Sequence, residues 1–356
     1  MRFEPLLTNA AVLDLATILG ADQMRLVGGA VRDALAGDKA TDLDVCTPLP
    51  PKTVQALLDR STAFKAIPTG LRHGTVTAYH KVTRQSLEVT TLRIDQETDG
   101  RHATVTFSTD WRGDAARRDF TFNALMLDLE GGLHDYFDGQ ADLKAGRVRF
   151  IGDARTRLAE DWLRGLRYFR FWGRYGQLLP DLETADALRE AANKLNRLSV
   201  ERIWAELKGL ILTPRALPLF QNLGFATALG LNLQEAKTGL DPIAAWALRL
   251  GPENDDLLMK LKASKVERDW FAAIRASARS PAPVFERQVR FGHEATVIAD
   301  GMKLAPPPPF PMRAQDLLDQ GFTPGPALGQ MVRELEDRWI ASEGHLTRDD
   351  LIKSIT

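Results

Sequence analysis

The sequence predicts an N-terminal region of mixed α and β structure over residues 1–150, followed by a region that is all helical. Short β-branched or alternating segments come first, separated by Gly, Pro and Asp clusters: MRLVG, LDVCT, TVTAYH, LEVTTLR, ATVTFS and FNALMLDL. From about residue 153 the apolar residues recur at helical spacing instead. A chain of 356 residues has room for two or three such domains, each with its own core.

The predicted helices follow from apolar side chains at i, i+3, i+4 and i+7. The first predicted helix carries Val12, Leu15, Ala16 and Leu19 and ends near Gly20, and a second spans Lys52 to Arg60. Three later helices are predicted from the following apolar stripes: Leu158, Trp162, Leu166 and Phe169; Val200, Ile203, Trp204, Leu207 and Leu210; and, after Pro326, Leu328, Met331, Leu335 and Trp339. Proline suits the first turn of a helix because its missing N–H has no partner there anyway. The change of pattern places a boundary near Gly152.

The charge balance restricts the kinds of partner. Lysine and arginine number 46 against 47 acidic residues, and this net charge of -1 argues against a uniformly basic nucleic-acid coat. Any nucleic-acid contact must therefore come from a local patch. Residues 147–174 contain eight arginines and three acidic residues, although a solvated helix face is a plain alternative for such a run.

Cysteine and hydropathy indicate the compartment. The single cysteine, Cys46, excludes an intramolecular disulfide and favours a reducing cytoplasm. Glu4 and Asp14 interrupt the apolar start of the chain, which argues against a signal peptide. No run approaches the roughly 18 apolar residues that cross a bilayer. We expect a cytoplasmic protein without a membrane partner.

Two acids in one predicted strand are the first candidate site. Side chains alternate along a strand, so Asp42 and Asp44 project together while Leu43 and Val45 face the core. Neighbouring carboxylates repel unless a positive charge lies between them. Mg²⁺ takes few carboxylates and leaves room for phosphate oxygens, so it suits this pair. A turn with two solvated acids is the alternative.

A glycine pair lies just upstream of these acids. Gly28 and Gly29 follow an apolar strand, where bare backbone approaches a ligand closely and the N–H groups of the next turn can hold phosphate. Arg32 adds a side chain that binds phosphate through two donors. A phosphate-holding turn beside a metal-holding pair is typical of phosphoryl or nucleotidyl transfer.

The stretch LVGGAVRD...TDLDVCT resembles the G-G-x-V-R-D...D-x-D signature of the bacterial-type class II tRNA nucleotidyltransferase and poly(A) polymerase family. The resemblance continues, in family order, through TGLRHGTVT, LEVTTLR, DGRHATVTF, RRDFTFNAL, AEDWLRGLRYFRF and SVERIWAELKGLI. It implies an α+β catalytic head of the polymerase-beta type over 1–150, an all-α nucleotide-recognising neck over 151–215, and a helical, tRNA-binding body and tail over 216–356.

Within this resemblance, Asp161 and Arg164 match the family's amino-acid template for the incoming base. Positions three apart on a helix are neighbours, so the two side chains would present an acceptor beside donors. Cytosine and adenine both show an amino donor next to a ring-nitrogen acceptor. Guanine and uracil show the opposite order, and each mismatched buried polar group would cost about 1–3 kcal/mol. A surface ion pair is the alternative.

Further nucleotide-binding residues are implied by the family motifs. Arg118, Arg167 and Arg170 match arginines that contact the base or the triphosphate. Asp119 and Asn123 match the same region, but an Asp before FTFNALM is equally well explained as a helix N-cap.

Three glutamates could belong to the site, but each also has a simpler structural interpretation. Glu88 is a possible third metal-site carboxylate, with a solvent-facing strand position favoured. Glu201 and Glu206 match a helix that supports the nucleotide site, and ion pairing with the arginine-rich helix explains them as well.

The resemblance implies metal-dependent addition of C, C and A to the tRNA 3' end from CTP and ATP. Pyrophosphate is released, no nucleic-acid template is used, and Mg²⁺ is held by Asp42 and Asp44, the catalytic pair. The TGLRHGTVT segment at 69–77 favours CCA addition over poly(A) synthesis. Enzymes that add only CC or only A remain alternatives that depend partly on residues 93–104, and a non-catalytic RNA-binding protein is a remote one. No protein partner is predicted.

Overall fold

The structure, a computed structural model, describes residues 2–40, 42–98, 103–234, 240–301 and 304–355. Its internal contacts divide the chain into two compact units. The N-terminal unit comprises Met1–Glu206 and Arg215–Leu229, and the C-terminal unit comprises Leu207–Pro214 and Gly230–Thr356.

The strands lie in the N-terminal unit and form a mixed sheet and a hairpin. They are β1 (Arg25–Val27), β2 (Leu43–Thr47), β3 (Phe64–Gly70), β4 (Thr75–His80), β5 (Ser86–Thr91), β6 (Arg93–Thr98), β7 (Ala103–Phe107), β8 (Met126–Leu127) and β9 (Leu133–His134). Among the described residues, seven strands form one sheet in the order β3-β4-β5-β2-β1-β8-β9, while β6 pairs with β7. β2 and β5 are parallel, and the other neighbouring pairs are antiparallel.

The register of the sheet gathers charged residues around β2. Asp44 lies opposite Val27 of β1 on one side and Glu88 of β5 on the other. Leu43 and Val45 are buried, which anchors β2 in the core and turns the acids away from it.

Helices surround this sheet and continue beyond it. Up to residue 229 they are α1 (Glu4–Leu7), α2 (Ala10–Leu19), α3 (Gly29–Ala36), α4 (Pro51–Arg60), α5 (Trp111–Ala116), α6 (Gly139–Ala145), α7 (Ala154–Glu160), α8 (Leu163–Tyr175), α9 (Leu182–Ala192), α10 (Val200–Ile211), α11 (Leu217–Asn222) and α12 (Phe225–Ala228). Short 3₁₀ helices span Ala21–Gln23, Leu71–His73, Thr121–Ala124, Leu195–Arg197, Pro214–Ala216 and Pro252–Asn254.

The C-terminal unit is built from helices around its own core. They are α13 (Pro242–Arg249), α14 (Leu257–Lys260), α15 (Lys265–Arg279), α16 (Val284–Phe291), α17 (His293–Asp300), α18 (Ala314–Leu318), α19 (Pro326–Ala341) and α20 (Arg348–Lys353). Leu335 and Trp339 of α19 belong to the buried cluster at the end of the chain. No described helix is both long enough and apolar enough to span a lipid bilayer.

Most predicted elements are confirmed. The helix before Gly20, the helix ending at Arg60, the helix carrying Trp204 and the helix beginning at Pro326 all form. Gly20 and Gly28 both have positive φ angles, which a side chain would strain. The mixed α and β head followed by helices is the observed fold.

Two predictions from hydrophobic patterns are wrong. FNALMLDL forms only the two-residue strand β8, because its first half winds into the 3₁₀ helix Thr121–Ala124. The stripe through Leu158, Trp162 and Leu166 does not lie on one helix either. The backbone of Asp161 is extended, with φ -156° and ψ 105°, so the stripe is divided between α7 and α8.

Aromatic packing fixes α8 against the head. Phe171 of α8 makes edge contacts with Phe120 and Phe122, at ring-centroid distances of 5.5 and 5.7 Å. One turn further along, Tyr175 lies 5.9 Å from the Phe122 ring. Aromatic contacts of this kind contribute about 0.5–1.5 kcal/mol each beyond the burial of their area. They hold the arginine-bearing face of α8 beside the glycine turn and β2.

Candidate functional site

A cavity of about 500 Å³ opens in the N-terminal unit between the seven-stranded sheet, the 3₁₀ helix Thr121–Ala124 and α8. All twelve site residues predicted from the sequence line it: Gly28, Gly29, Arg32, Asp42, Asp44, Arg118, Asp119, Asn123, Asp161, Arg164, Arg167 and Arg170. Arg117 and Phe171 complete the described lining. Residues from four separate stretches of the chain, 28–32, 42–44, 117–123 and 161–171, therefore meet at one site.

The carboxylates occupy one side of this cavity. Asp42 is exposed and directly precedes β2, whereas Asp44 is half-buried within the strand. Both line the cavity while Leu43 is buried, so the predicted alternation is confirmed. Burial, followed by the negative charges of Glu88 and Asp42, raises the pKa of Asp44 despite the nearby arginines. This side of the cavity therefore favours a cation.

The glycine turn forms the floor between the sheet and α3. Gly28 has φ 69° and ψ -124°, a conformation open in practice only to glycine, and it directly precedes α3. A Cβ atom at Gly28 would lie 3.5 Å from Arg118 Nη1 and 3.8 Å from Asp44 Oδ2. The bare backbone thus leaves space between an arginine and a carboxylate of the site.

A chain of hydrogen bonds crosses the cavity from α3 to α10. Arg32 Nη1 donates to Asn123 Oδ1 at 2.6 Å, and Asn123 Nδ2 donates to Asp119 Oδ1 at 2.9 Å. Asp119 Oδ2 then accepts from Arg167 Nε at 2.7 Å, and Arg167 Nη1 lies 3.4 Å from Glu206 Oε1. These contacts hold Arg32 of α3 and Arg167 of α8 at the lining of the same cavity.

Asp119 is a member of this chain rather than a helix cap. The N-cap residue of the 3₁₀ helix is Phe120, and no side chain caps that helix. Although burial opposes ionisation, the Arg167 guanidinium and the hydrogen bonds from Asn123 and Phe120 lower the pKa of Asp119. The capping alternative is therefore wrong.

The Arg118 guanidinium is held in place by a buried carboxylate, that of Asp114. Its Nη2 donates to Asp114 Oδ2 and to Cys46 Sγ, both at 3.1 Å. Asp114 is fully buried and also accepts from Arg117 Nε at 2.8 Å. The two arginines lower the pKa of Asp114 although burial acts in the opposite direction. Burial raises the pKa of the Cys46 thiol to about 12, so it contributes no thiolate here.

A second part of the cavity lining consists of arginines. Phe171 places its ring under the guanidinium groups of Arg32, Arg167 and Arg170, with distances to the ring centroid of 4.9, 5.3 and 4.7 Å. Burial, with the like charges of Arg167 and Arg32, lowers the pKa of Arg170 despite its ion pair with Glu206. This side of the cavity therefore favours an anion.

Asp161 and Arg164 both line the cavity, but they are not neighbours on one helix as predicted. Asp161 lies in the break between α7 and α8, and Arg164 lies in the first turn of α8. Arg164 pairs with Glu160 and donates from Nη1 to the Arg157 carbonyl at 3.0 Å. Asp161 Oδ2 accepts from Arg202 Nη2 at 2.6 Å. The Asp161 carboxylate and the Arg164 guanidinium are therefore each held by a separate ion pair.

The simpler interpretation is confirmed for Glu206 and Glu88. Glu206 contacts Arg167 and Arg170, which confirms ion pairing with the arginine-rich helix. Glu201 and Glu88 are exposed. Glu88 nevertheless lies opposite Asp44 and acts on it through its charge. Within the described ranges, no group of three or more His, Cys, Asp and Glu residues is arranged to hold a metal ion.

Sequence reasoning missed four contributors: Arg117, Phe171, Arg202 and Asp114. Arg117 had a signal, because it adjoins Arg118 in the RRD motif. Phe171 follows Arg167 by one helical turn, which places both on one face. Asp114 had a local signal too, because it precedes Arg117 and Arg118 by three and four residues, a spacing at which helical side chains meet. Arg202 carries no local signal, since its partner Asp161 lies far away in the sequence. Residues 99–102 of the 93–104 segment lie outside the described residues.

Two family models and several known proteins match this chain. Residues 24–149 match the family model described as the poly A polymerase head domain, and residues 180–224 match one described as a probable RNA and SrmB- binding site of polymerase A. The mitochondrial CCA tRNA nucleotidyltransferase 1 of Danio rerio is 35% identical, covering 100% of this chain and 92% of that protein.

A bacterial relative and a solved structure extend the comparison. The CCA-adding enzyme of Lactococcus lactis subsp. cremoris (strain SK11) is 30% identical, covering 89% of this chain and 88% of that protein. The crystal structure of the Bacillus stearothermophilus CCA-adding enzyme in complex with CTP superimposes with a TM-score of 0.75 at 26% identity. The superposition covers 96% of this chain and 93% of the other.

Proposed function

The chain belongs to the CCA tRNA nucleotidyltransferase family, and we propose that it adds C, C and A to the 3' end of tRNA, using CTP and ATP and releasing pyrophosphate. One observation carries the assignment of this activity to the cavity. One cavity of about 500 Å³ is lined both by a pair of acids that favours a cation and by a group of arginines that favours an anion. A metal-bound nucleoside triphosphate has this distribution of charge.

The acids fit a divalent metal ion by their chemistry. Asp42 and Asp44 offer only oxygen donors, and two carboxylates together with substrate phosphates are a common environment for Mg²⁺. We propose that these two side chains hold Mg²⁺. When bound, the ion lowers the pKa of the RNA 3' hydroxyl and neutralises charge on the triphosphate. Enzyme treated with EDTA should regain transfer on addition of Mg²⁺ and should not regain it with Ca²⁺.

The remaining steps belong to the chain's own groups. The RNA 3' oxygen attacks the α-phosphorus of the nucleotide, the bond to the β-phosphate oxygen breaks, and pyrophosphate leaves. Arg32, Arg167 and Arg170 would bind the triphosphate and hold its α-phosphorus in place for the attack. The planar guanidinium of each suits phosphate oxygens, and their charges stabilise the departing pyrophosphate.

Base selection is assigned to Asp161 and Arg164. A carboxylate accepts from the amino group of cytosine or adenine, and a guanidinium donates to the adjacent ring nitrogen. Uracil and guanine would set an acceptor against the carboxylate and a donor against the guanidinium. Because both side chains already have supports in the N-terminal unit, the base meets groups that are oriented beforehand.

The proposed division of labour follows the placement of these groups. We assign catalysis to a head over 1–150, nucleotide recognition to a neck over 151–215, and tRNA binding to a body and tail over 216–356. The supply of cavity residues by α8, with support from α10, favours the recognising neck. We also propose a cytoplasmic location on the basis of one buried cysteine, to be checked by fractionation, since the Danio rerio relative is named as mitochondrial.

The decisive assay uses a tRNA transcript that lacks its last three nucleotides, incubated with each labelled NTP. We expect two additions with CTP alone, a third when ATP is also present, and none with GTP or UTP. Long A tails would indicate poly(A) synthesis, and a stop after two C residues or a requirement for CC-ended RNA would indicate partial enzymes. An absence of labelling would indicate an RNA-binding protein.

A further inference from the structure

We propose that Arg202 is a positioning residue that sets nucleotide specificity by fixing the orientation of the Asp161 carboxylate. This inference rests on the proposed function of the cavity. The Nη2 atom of Arg202 lies 2.6 Å from Asp161 Oδ2, and Arg202 is not among the described residues that line the cavity. It therefore acts on the base through Asp161 rather than by direct contact.

Asp161 needs such a support because helix geometry does not hold it. Its backbone is extended between α7 and α8, and its side chain is about one quarter exposed, at 27%. The Leu163 N–H donates to Oδ1 at 3.1 Å, which restrains one oxygen only. One contact leaves the carboxylate able to rotate, whereas contacts to both oxygens define its plane.

The helix that carries Arg202 contacts the cavity wall at two points. Arg202 and Glu206 are four residues apart on α10 and so share one face. Glu206 contacts Arg167 and Arg170, and Arg202 contacts Asp161. The same face of α10 thus supports both the triphosphate-facing arginines and the base-reading acid.

The contact with Arg202 leaves Asp161 able to read a base. Each carboxylate oxygen has two acceptor positions, so both oxygens retain one after the bonds to Leu163 and Arg202 are made. A carboxylate fixed in this way accepts from an amino group and opposes a carbonyl at the same place. If the carboxylate could turn away from the base, it would neither accept from the amino group of cytosine nor oppose the carbonyl of uracil, and the selection of CTP over UTP would fall.

The test compares Arg202→Ala with Arg202→Lys and with a matched control, Arg189→Ala. Arg189 forms an exposed ion pair with Asp186, also at 2.6 Å, on α9. Its removal is the same chemical change at a site that does not line the cavity. For each protein, kcat and KM would be measured for CTP and UTP on tRNA lacking CCA, and thermal unfolding would be recorded.

For Arg202→Ala we expect the ratio of kcat/KM for CTP over UTP to fall about tenfold, mainly through a higher KM for CTP, as for one misaligned hydrogen bond. Arg202→Lys should recover part of the ratio, since its charge can reach one oxygen, and Arg189→Ala should keep it. A ratio unchanged in Arg202→Ala, with equal losses for both nucleotides, would overturn the positioning role. Failure of the wild-type chain to incorporate CTP would instead overturn the proposed function.

Discussion

The two sides of the cavity are built in different ways. Asp42 and Asp44 take their common direction from the alternation of one strand, and neither needs a side-chain partner for it. Asp161 and Arg164 stand at a break between helices and are oriented by ion pairs with Arg202 and Glu160. The first arrangement is local and depends on the backbone, whereas the second depends on tertiary contacts.

The two sides are therefore sensitive to different substitutions. On the strand side, function can be lost while the fold remains, because the acids gain little from one another in the absence of a cation. On the helix side, changes in supporting residues alter the reading of the base before they abolish transfer.

The largest effect is expected from Asp44→Ala, which removes half of the carboxylate pair. Transfer from CTP should fall by about 10³-fold or more because the metal loses a ligand. The melting temperature should not drop, since the pKa of Asp44 is already raised by burial and neighbouring negative charge. Activity and thermal unfolding measured on the same preparation separate the two effects. Near wild-type transfer would remove Asp44 from the catalytic pair.

The next effect is expected from Arg164→Ala on the helix side. Loss of the donors that face the ring nitrogen should lower kcat/KM for CTP and ATP by about 10²-fold, with smaller losses for UTP and GTP. Competition assays with paired nucleotides measure this change directly. Equal losses for all four nucleotides would show that Arg164 serves transfer but not selection.

The features of the strand side could be predicted from the sequence because each depends only on residues that are close together in the chain. The facing of Asp42 and Asp44 follows from a period of two, and the glycine at 28 follows from a turn that side chains would strain. All twelve predicted residues line the cavity, but only Gly28, Gly29, Arg32, Asp42 and Asp44 followed from local patterns, and the family resemblance implied the other seven.

The helix side was less accessible because its geometry is tertiary. Apolar spacing through Trp162 predicts one continuous helix, and nothing local in EDWLR announces the extended backbone at Asp161. Arg202 is recognisable only once the chain has folded, since it acts on Asp161 from a different helix, α10. Asp114 could have been found from the sequence, because Arg118 follows it by four residues. The strand predicted for FNALMLDL was wrong for a related reason, because an apolar run suits a buried 3₁₀ helix as well as a strand.

A third prediction concerns Asp119, which joins the two sides. Asp119→Asn should lower the free energy of unfolding by about 2 kcal/mol at pH 7, because Arg167 loses a buried charged partner. The pKa of Asp119 is lowered in the folded state, so its contribution is present above the unfolded value near 3.8. It disappears as the pH falls through the folded value.

Urea unfolding at pH 7 and near pH 3 tests this linkage. The difference between the wild type and Asp119→Asn should shrink at the lower pH. Asp186→Asn, the same change at an exposed ion pair, should cost under about 1 kcal/mol. A difference for Asp119→Asn that is independent of pH would mean that its charge does not stabilise the fold.

The smallest effect is expected at the glycine turn. Gly28→Ala and Gly37→Ala both place a side chain at positive φ, and each should cost about 1 kcal/mol or more in stability. Only the Gly28 substitution sets a Cβ beside Arg118 and Asp44, since Gly37 has open space. CTP binding should weaken severalfold in Gly28→Ala alone, as measured by titration calorimetry. Equal weakening in both variants would contradict a role in the cavity.

The most direct test of the central claim is the structure of this chain crystallised with CTP and Mg²⁺. We expect the cytosine amino group within hydrogen-bond distance of Asp161, the cytosine ring nitrogen facing Arg164, and the ion between the triphosphate and the acids Asp42 and Asp44. A cytosine ring bound away from the α7–α8 break, or a triphosphate without an ion at those acids, would contradict it.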